Sequence, residues 1–250
     1  MTTEPMNSGD KAKRAFDFVL SLVALIVLSP ILLTVALIIK IGSPGPVFYR
    51  GLRIGLKGRP FHICKFRTMV IDAERLGGSA TAEDDPRITP IGKFLRRHKL
   101  DELPQFLNVF FGDMSLVGPR PEVAKYVEMY TEEEHPILDL KPGITDWASI
   151  WNSNEAAVLE GSKDPEKTYE ELIRPTKLAL QLFYARNHSL SIDIKILAHT
   201  FCKLLFKDWT PAELVPYGKV KLYKAVSQSQ SPVQSPVSTS PVSTSQVSTQ

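Results

Sequence analysis

The sequence predicts an α+β protein in two parts. The first is an N-terminal, kinked, re-entrant membrane helix. The second is a small, mostly helical domain on the cytosolic side that carries a short β-hairpin. Two observations lead there. Residues 18–39 form a run of 22 without a charge, and the chain beyond it breaks into short apolar segments punctuated by Gly, Pro and Asp. At 250 residues, with 43% hydrophobic and 23% charged, the composition excludes a disordered chain, a collagen and a transporter of many spans. The basic and acidic residues number 30 and 27, a net +3, which argues against a dedicated nucleic-acid binder. Cys64 and Cys202 form no C-x-x-C and have no His nearby in metal-ligand spacing, so neither a disulfide framework nor a structural zinc site is expected, and a reducing compartment fits.

The apolar run, FVLSLVALIVLSPILLTVALII, is long enough as a helix (roughly 33 Å) to cross a bilayer core of about 30 Å. It is longer than the apolar region of a signal peptide and has no clear cleavage site. Pro30 deletes one N–H donor in its middle, so Ser29-Pro30 reads as a built-in bend, with the Ser29 hydroxyl back-bonding to Leu25. Lys11, Lys13 and Arg14 precede the run; Lys40, Arg50, Arg53, Lys57, Arg59, Lys65 and Arg67 follow it; no acid occurs between Asp17 and Asp72. Both flanks therefore belong on the cytoplasmic side, which favours a helix that enters and returns over a kinked single span.

Gly42 to Pro46 ends the helix. Residues 47–69 read as short strands with Gly turns, and 76–90 as a loop. Thr89-Pro90 is an N-cap and N1 pair that opens a helix carrying Ile91, Phe94 and Leu95. Pro104 ends one helix or begins another, so a new helix is expected with Asp101 near its N-cap and Leu103, Phe106, Leu107 and Phe110 turned inward. Val117 to Pro121 reads as rigid loop, 122–134 as helix, and 141–145 as a turn. Further helices begin at Asp164-Pro165 and span 176–186. The apolar amphipathic stretch 192–206 is either a core helix or a second contact with the membrane surface. Residues 225–250 carry no charge and repeat V-S-T every five residues, which marks a disordered Ser/Thr/Pro tail. The expected organisation is thus a cytosolic N-terminal segment over 1–14, the re-entrant helix over 15–41, a cytosolic domain with membrane-surface helices over 42–224, and the low-complexity tail over 225–250.

The densest chemical signal lies in residues 93–122. Arg96, Arg97, His98 and Lys99 precede the adjacent carboxylates Asp101 and Glu102, and Arg120 stands between two prolines. A carboxylate at a helix N-terminus is held ionised by the dipole and free amides. Nearby guanidiniums lower its pKa further and bind phosphate in bidentate fashion. An ionised, fixed carboxylate beside a phosphate-binding cluster suits covalent catalysis on phosphorus, with Mg²⁺ neutralising a diphosphate and sharing a carboxylate ligand. The plainer reading of the same residues is a salt-bridged helix junction.

Several long motifs in order resemble the bacterial sugar transferase family over about residues 11–205. They are K-R-x-F-D-F (Lys13 to Phe18), the apolar run with Ser29-Pro30, F-x-x-x-K-F-R-T-M (Phe61 to Met69), L-D-E-L-P-Q (Leu100 to Gln105), N-V (Asn108, Val109), G-D-M-S-L-V-G-P-R-P-E (Gly112 to Glu122) and K-P-G-I-T (Lys141 to Thr145). The resemblance implies a monotopic phosphoglycosyl transferase of the bacterial cytoplasmic membrane, facing the cytoplasm. It implies transfer of a sugar-1-phosphate from a UDP-sugar to undecaprenyl phosphate, with release of UMP, to start glycan assembly. By resemblance Asp101 is the nucleophile and a metal ligand, Glu102 its partner, and Lys65, Arg96 and Arg120 the phosphate-binding set. Ser29 and Pro30 form the membrane bend, and Mg²⁺ is required. A homodimer is left open. The chain departs from the common G-W-A-Q-x-N-G continuation: it has Asp146-Trp147-Ala148-Ser149-Ile150-Trp151-Asn152, which leaves the sugar unassigned. An idle scaffold would predict damage at Asp101, Glu102 or Arg120, and a lipid-binding module would leave the Gly-Pro-Arg-Pro loop without a purpose.

Overall fold

A computed structural model describes residues 8–78, 80–206 and 209–218. The tail over 225–250 lies outside the described residues. The chain begins with a 35-residue helix α1 (Ser8–Gly42). An antiparallel hairpin follows, β1 (Phe48–Ile54) and β2 (Pro60–Phe66), in register Phe48 opposite Phe66. After a one-turn helix α2 (Ala73–Leu76) come α3 (Pro90–Arg97) and α4 (Gln105–Phe111), then the short strand β3 (Ser115–Val117) and helix α5 (Ala124–Val127). Strand β4 (Gly143–Thr145) precedes α6 (Trp147–Trp151), α7 (Glu155–Leu159), α8 (Pro165–Leu172), α9 (Arg174–Asn187) and α10 (Leu190–Leu205). The mixture of helices with a small hairpin agrees with the fold class expected from the sequence.

The helical assignment of α1 continues through Pro30 without interruption. The carbonyl that Pro30 leaves without its i+4 donor is Ile26, and the Ser29 hydroxyl donates to it at 2.8 Å. The expected partner, Leu25, is one residue too early: Ser29 satisfies the very group its neighbour abandons. The helix starts well before residue 15, and its first turns belong to the globular part. Lys13 donates to Val117 O at 3.0 Å and to Asp193 Oδ2 at 2.5 Å. Arg14 donates to the carbonyls of Val109 and Phe110, and the Asp17 carboxylate accepts from Leu116 N at 3.0 Å. The other end also docks: Val35 and Ile39 are buried with Phe66 and Leu95, and Arg67 holds the following turn through Ser43 O and Pro44 O. Between these docks, Val23, Ile26, Val27 and Leu33 are half or more exposed.

The main core gathers Ile63, Val109, Met114, Leu116, Trp147, Ile150, Leu180, Tyr184 and Ile196; a second gathers Val158, Leu159, Tyr169 and Ile173. Both cysteines are free thiols.

Three readings of the sequence are corrected. Residues 117 and 143–145, read as loop and turn, belong to a parallel pair, β3 with β4. Three-residue strands show no periodicity, and this pair depends on two glycines: a Cβ on Gly143 would lie 2.1 Å from Gly118 N, and one on Gly118 would lie 2.3 Å from Lys141 O. The helix expected over 122–134 is only Ala124–Val127, followed by a 3₁₀ turn at His135–Asp139; three successive glutamates and Pro136 give it neither an apolar stripe nor room to continue. In α4 the buried residues are Gln105, Asn108 and Val109. Phe106 packs against the main core as expected, whereas Phe110 stacks on Phe18 of α1 at 4.9 Å and Phe111 is exposed.

Candidate active site

The carboxylate pair sits on a tight reversal between α3 and α4. Thr89 caps α3, its side chain accepting from Gly92 N at 3.0 Å, with Pro90 at the first helical position. Lys99 then adopts a left-handed conformation (φ 57°) that turns the chain, and Leu100–Glu102 form one 3₁₀ turn before Pro104 leads into α4. Asp101 thus lies one short turn ahead of the helix rather than at its N-cap. Asn108 fixes α4 to the hairpin by accepting from Cys64 N and donating to His62 O, both at 2.8 Å. That contact brings Lys65, the next residue of β2, to the dyad.

Glu102 is held by two cations. Lys65 Nζ donates to its Oε1 at 2.7 Å, and the Arg120 guanidinium forks onto both of its oxygens. Asp101 is buried yet accepts no hydrogen bond among the described residues. Arg96 is coupled to the same pair by charge, and its NH1 is buried without a hydrogen-bond partner among the described residues. The structure gathers Lys65, Arg96, Asp101, Glu102 and Arg120 in one place. Ser29 and Pro30 stand apart, on the exposed middle of α1.

The electrostatics separate the two acids. Burial first, and the Glu102 charge second, push the Asp101 carboxyl above its ordinary value despite Lys65 and Arg96. Burial alone would raise Glu102 too, but Arg120 and Lys65 hold it well below the usual carboxylate range. Glu102 in return raises Arg120, while burial lowers Lys65 and Arg96. The expectation that a helix dipole and guanidiniums depress Asp101 is thus corrected. The guanidinium in hydrogen-bond contact is committed to Glu102, and Asp101 remains a buried, uncommitted carboxylate. Counting Lys99, which also acts on both acids, four cations face two carboxylates. Asp85 also acts on Arg96, and Glu155 and Asp146 on Arg120, so the charges of the surroundings nearly balance; the orphaned guanidinium nitrogen of Arg96 is the donor left for an anion.

No group of three or more His, Cys, Asp or Glu is gathered among the described residues. A hard cation that keeps its waters and takes further oxygens from substrate phosphates still fits the free Asp101 carboxylate.

Sequence reasoning missed the residues that hold Arg120. Asp146 is fully buried, caps α6 through Ser149 N at 2.7 Å, and accepts from the Arg120 backbone N–H at 3.3 Å. The acid that departs from the family pattern therefore faces the interior and the Arg120 loop. Lys177 and Tyr169 engage Glu122, two residues further on. Nothing in the pattern of α9 singled out Lys177, because Lys and Gln at helical spacing read as a solvent face.

The sequence profile described as Bacterial sugar transferase matches residues 8–207. The UDP-glucose:undecaprenyl-phosphate glucose-1-phosphate transferase of Escherichia coli (strain K12) is 40% identical over 195 residues, 76% of this chain and 39% of that protein. The UDP-N-acetylgalactosamine-undecaprenyl-phosphate N-acetylgalactosaminephosphotransferase of Aeromonas hydrophila is 36% identical over 197 residues, 77% of this chain and 43% of that protein. The exopolysaccharide production protein PSS of Rhizobium leguminosarum bv. phaseoli is 40% identical over 199 residues, 75% of this chain and 92% of that protein. The chain spans less than half the length of the first two and nine-tenths of the third. With most of its length matched, and the motif residues folded into one charged site, the chain belongs to the bacterial sugar transferase family.

Proposed function

We propose that this protein transfers a sugar-1-phosphate from a UDP-sugar to undecaprenyl phosphate, releasing UMP and starting the assembly of an exopolysaccharide or related glycan. The observation that carries the reading is the division of labour in the dyad. Glu102 is locked between Lys65 and Arg120, whereas Asp101 is buried, raised in pKa and free of hydrogen bonds among the described residues. A carboxylate that is basic and uncommitted is the better nucleophile. Asp101 attacks the phosphorus that bears the sugar; the bond to the UMP oxygen breaks, and UMP leaves with that electron pair. The phosphate of the lipid then attacks the same phosphorus and frees Asp101, giving the lipid diphosphate sugar. Arg96, with its orphaned NH1, and Arg120 offset the repulsion between carboxylate and diphosphate. Asp101 would also hold Mg²⁺, which supplies further charge neutralisation when bound.

The docking of α1 supports a re-entrant anchor. Residues 13–17 and 35–39 both rest on the same domain, and the exposed apolar stretch lies between them. A straight crossing would put its two ends on opposite sides of the membrane. We place both ends in the cytoplasm, in keeping with the basic flanks. Exposed Ile194, Phe201, Leu204, Leu205 and Phe206 of the α10 region give a second apolar contact with the membrane surface.

The test is UMP release from a panel of UDP-sugars, with and without undecaprenyl phosphate. With one sugar and no lipid, UMP should appear up to about one equivalent per enzyme, with Asp101 labelled. Turnover that requires the lipid from the first equivalent refutes the covalent route, and label on another residue refutes Asp101 as the nucleophile. No release from any UDP-sugar refutes the activity.

A further inference from the structure

Helix α9 is amphipathic in an unusual sense. Phe183 is 45% exposed, whereas Lys177 and Gln181 are buried, at 6% and 0%. With Tyr184 they form a polar stripe at i, i+4 and i+7, one side of the helix. Each member meets a successive part of the segment that carries Arg120. The Tyr184 hydroxyl lies 3.3 Å from Val117 O and donates to Asp193 Oδ1 at 2.5 Å. Gln181 Nε2 donates to Arg120 O at 3.4 Å and to Asp146 Oδ2 at 3.2 Å, and that same Oδ2 accepts from Arg120 N. Lys177 pairs with the Glu122 carboxylate, while Tyr169 accepts from Lys177 at 2.9 Å and donates to Glu122 at 2.8 Å.

The contacts run in register: as α9 is read backwards, the segment is read forwards. Both polar groups of the Arg120 peptide are thereby occupied from behind. The two flanking prolines have no N–H to add, so Asp146 and Gln181 are its main-chain partners. A buried polar group needs its partner, and three such groups on a core helix cost stability that apolar residues would not. A guanidinium on a loop must also be held still if it is to act on a developing charge.

We propose that Lys177, Gln181 and Tyr184 are positioning residues: a rigid polar rail on α9 that fixes residues 117–122 and so keeps the Arg120 guanidinium on Glu102 and at the substrate phosphate. Asp146 is the bridge between rail and loop. The kinetic consequence rests on the transferase reading above; the structural one does not.

The test uses the full chain in lipid nanodiscs with Gln181→Met, which keeps length and removes the donor. Hydrogen exchange should accelerate about tenfold in peptides covering 117–122 while α1 keeps its protection. UMP release should fall about tenfold to a hundredfold, mainly in kcat. Once Arg120→Ala is present, Gln181→Met should change the residual rate by less than about twofold, because a residue that acts through Arg120 has nothing left to position. If Gln181→Met does not accumulate folded, Tyr184→Phe gives the same two readings at Val117 and Gly118. Unchanged exchange in 117–122 overturns the proposal, and so does a loss of activity that adds to that of Arg120→Ala. Absence of UMP release by the wild type would refute the transferase reading and leave exchange alone to decide the rail.

Discussion

The two adjacent acids should respond in opposite ways to loss of charge. Glu102→Gln removes the anion between Lys65 and Arg120, whose side chains are 19% and 31% exposed. Breaking a mostly buried pair from one side costs about 3–5 kcal/mol. The amide keeps one acceptor oxygen and Arg120 retains some water, so we take about 2–3 kcal/mol. At about 2–4 °C per kcal/mol for a chain of this size, Tm falls by roughly 4–12 °C. Asp101→Asn works the other way. Its carboxyl is raised in the folded state, first by burial and then by Glu102, so at neutral pH folding disfavours its charge. Removing that charge should leave Tm unchanged or raise it by up to about 4 °C, a gain of about 0–1 kcal/mol. UMP release should nevertheless drop by several orders of magnitude. Thermal unfolding of detergent-purified protein, followed by tryptophan fluorescence, measures the first quantity, and nucleotide release the second. An Asp101→Asn protein that melts as early as Glu102→Gln would show that both acids hold the fold, and the division of labour would be wrong.

The rate of UMP release should rise with pH through a midpoint above the ordinary 3.8 of an aspartate, because the ionised form of Asp101 is the one that attacks and it is the form disfavoured by burial. A kcat profile should also place that midpoint lower in Glu102→Gln, where the neighbouring negative charge is gone. Gly92→Ala should lower Tm and activity together: Ala ordinarily gains about 1 kcal/mol over Gly in a helix. Here its Cβ would lie 2.0 Å from Thr68 O, an overlap that costs about 1–3 kcal/mol and shifts the helix bearing Arg96. Pro30→Ala restores a donor to Ile26 O and makes the Ser29 contact redundant, so some molecules should adopt a spanning topology, read as outside labelling of a cysteine at position 8. Identical topology and rate would show that the docks at residues 13–17 and 35–39 set the path of α1 by themselves.

The parts legible in the sequence were those with long-range pattern or fixed local chemistry: the uncharged run, the Thr89-Pro90 cap and the β1–β2 hairpin with its glycine turn. The dyad and its cations were legible as types, because an acid pair amid basic residues has few uses. Their pairing was not. Whether Arg120 would meet Asp101 or Glu102 depends on the left-handed Lys99 and on Asn108 anchoring α4 to β2, neither of which has a periodicity. The rail on α9 was concealed by the usual rule, since Lys and Gln at helical spacing read as the solvent face and Phe183 as the core. Strands β3 and β4 escaped notice because three residues cannot alternate often enough to be seen.

The docking of α1 also sets an order of events during synthesis. The apolar helix leaves the ribosome before the domain on which it docks. Its buried Asp17 finds Leu116 only 99 residues later, and Lys13 finds Asp193 after 180. At about 5–20 residues per second the second delay is roughly 9–36 s. For that interval Lys13 lacks its acid, although Arg14 and Asp17 can already meet Val109, Phe110 and Leu116. A nascent chain arrested before α10 would carry the membrane segment and the dyad, yet lack the acid that latches Lys13. Completion of the C-terminal third therefore adds the last latch, Lys13 to Asp193, to a helix whose other docks lie on residues 66–117.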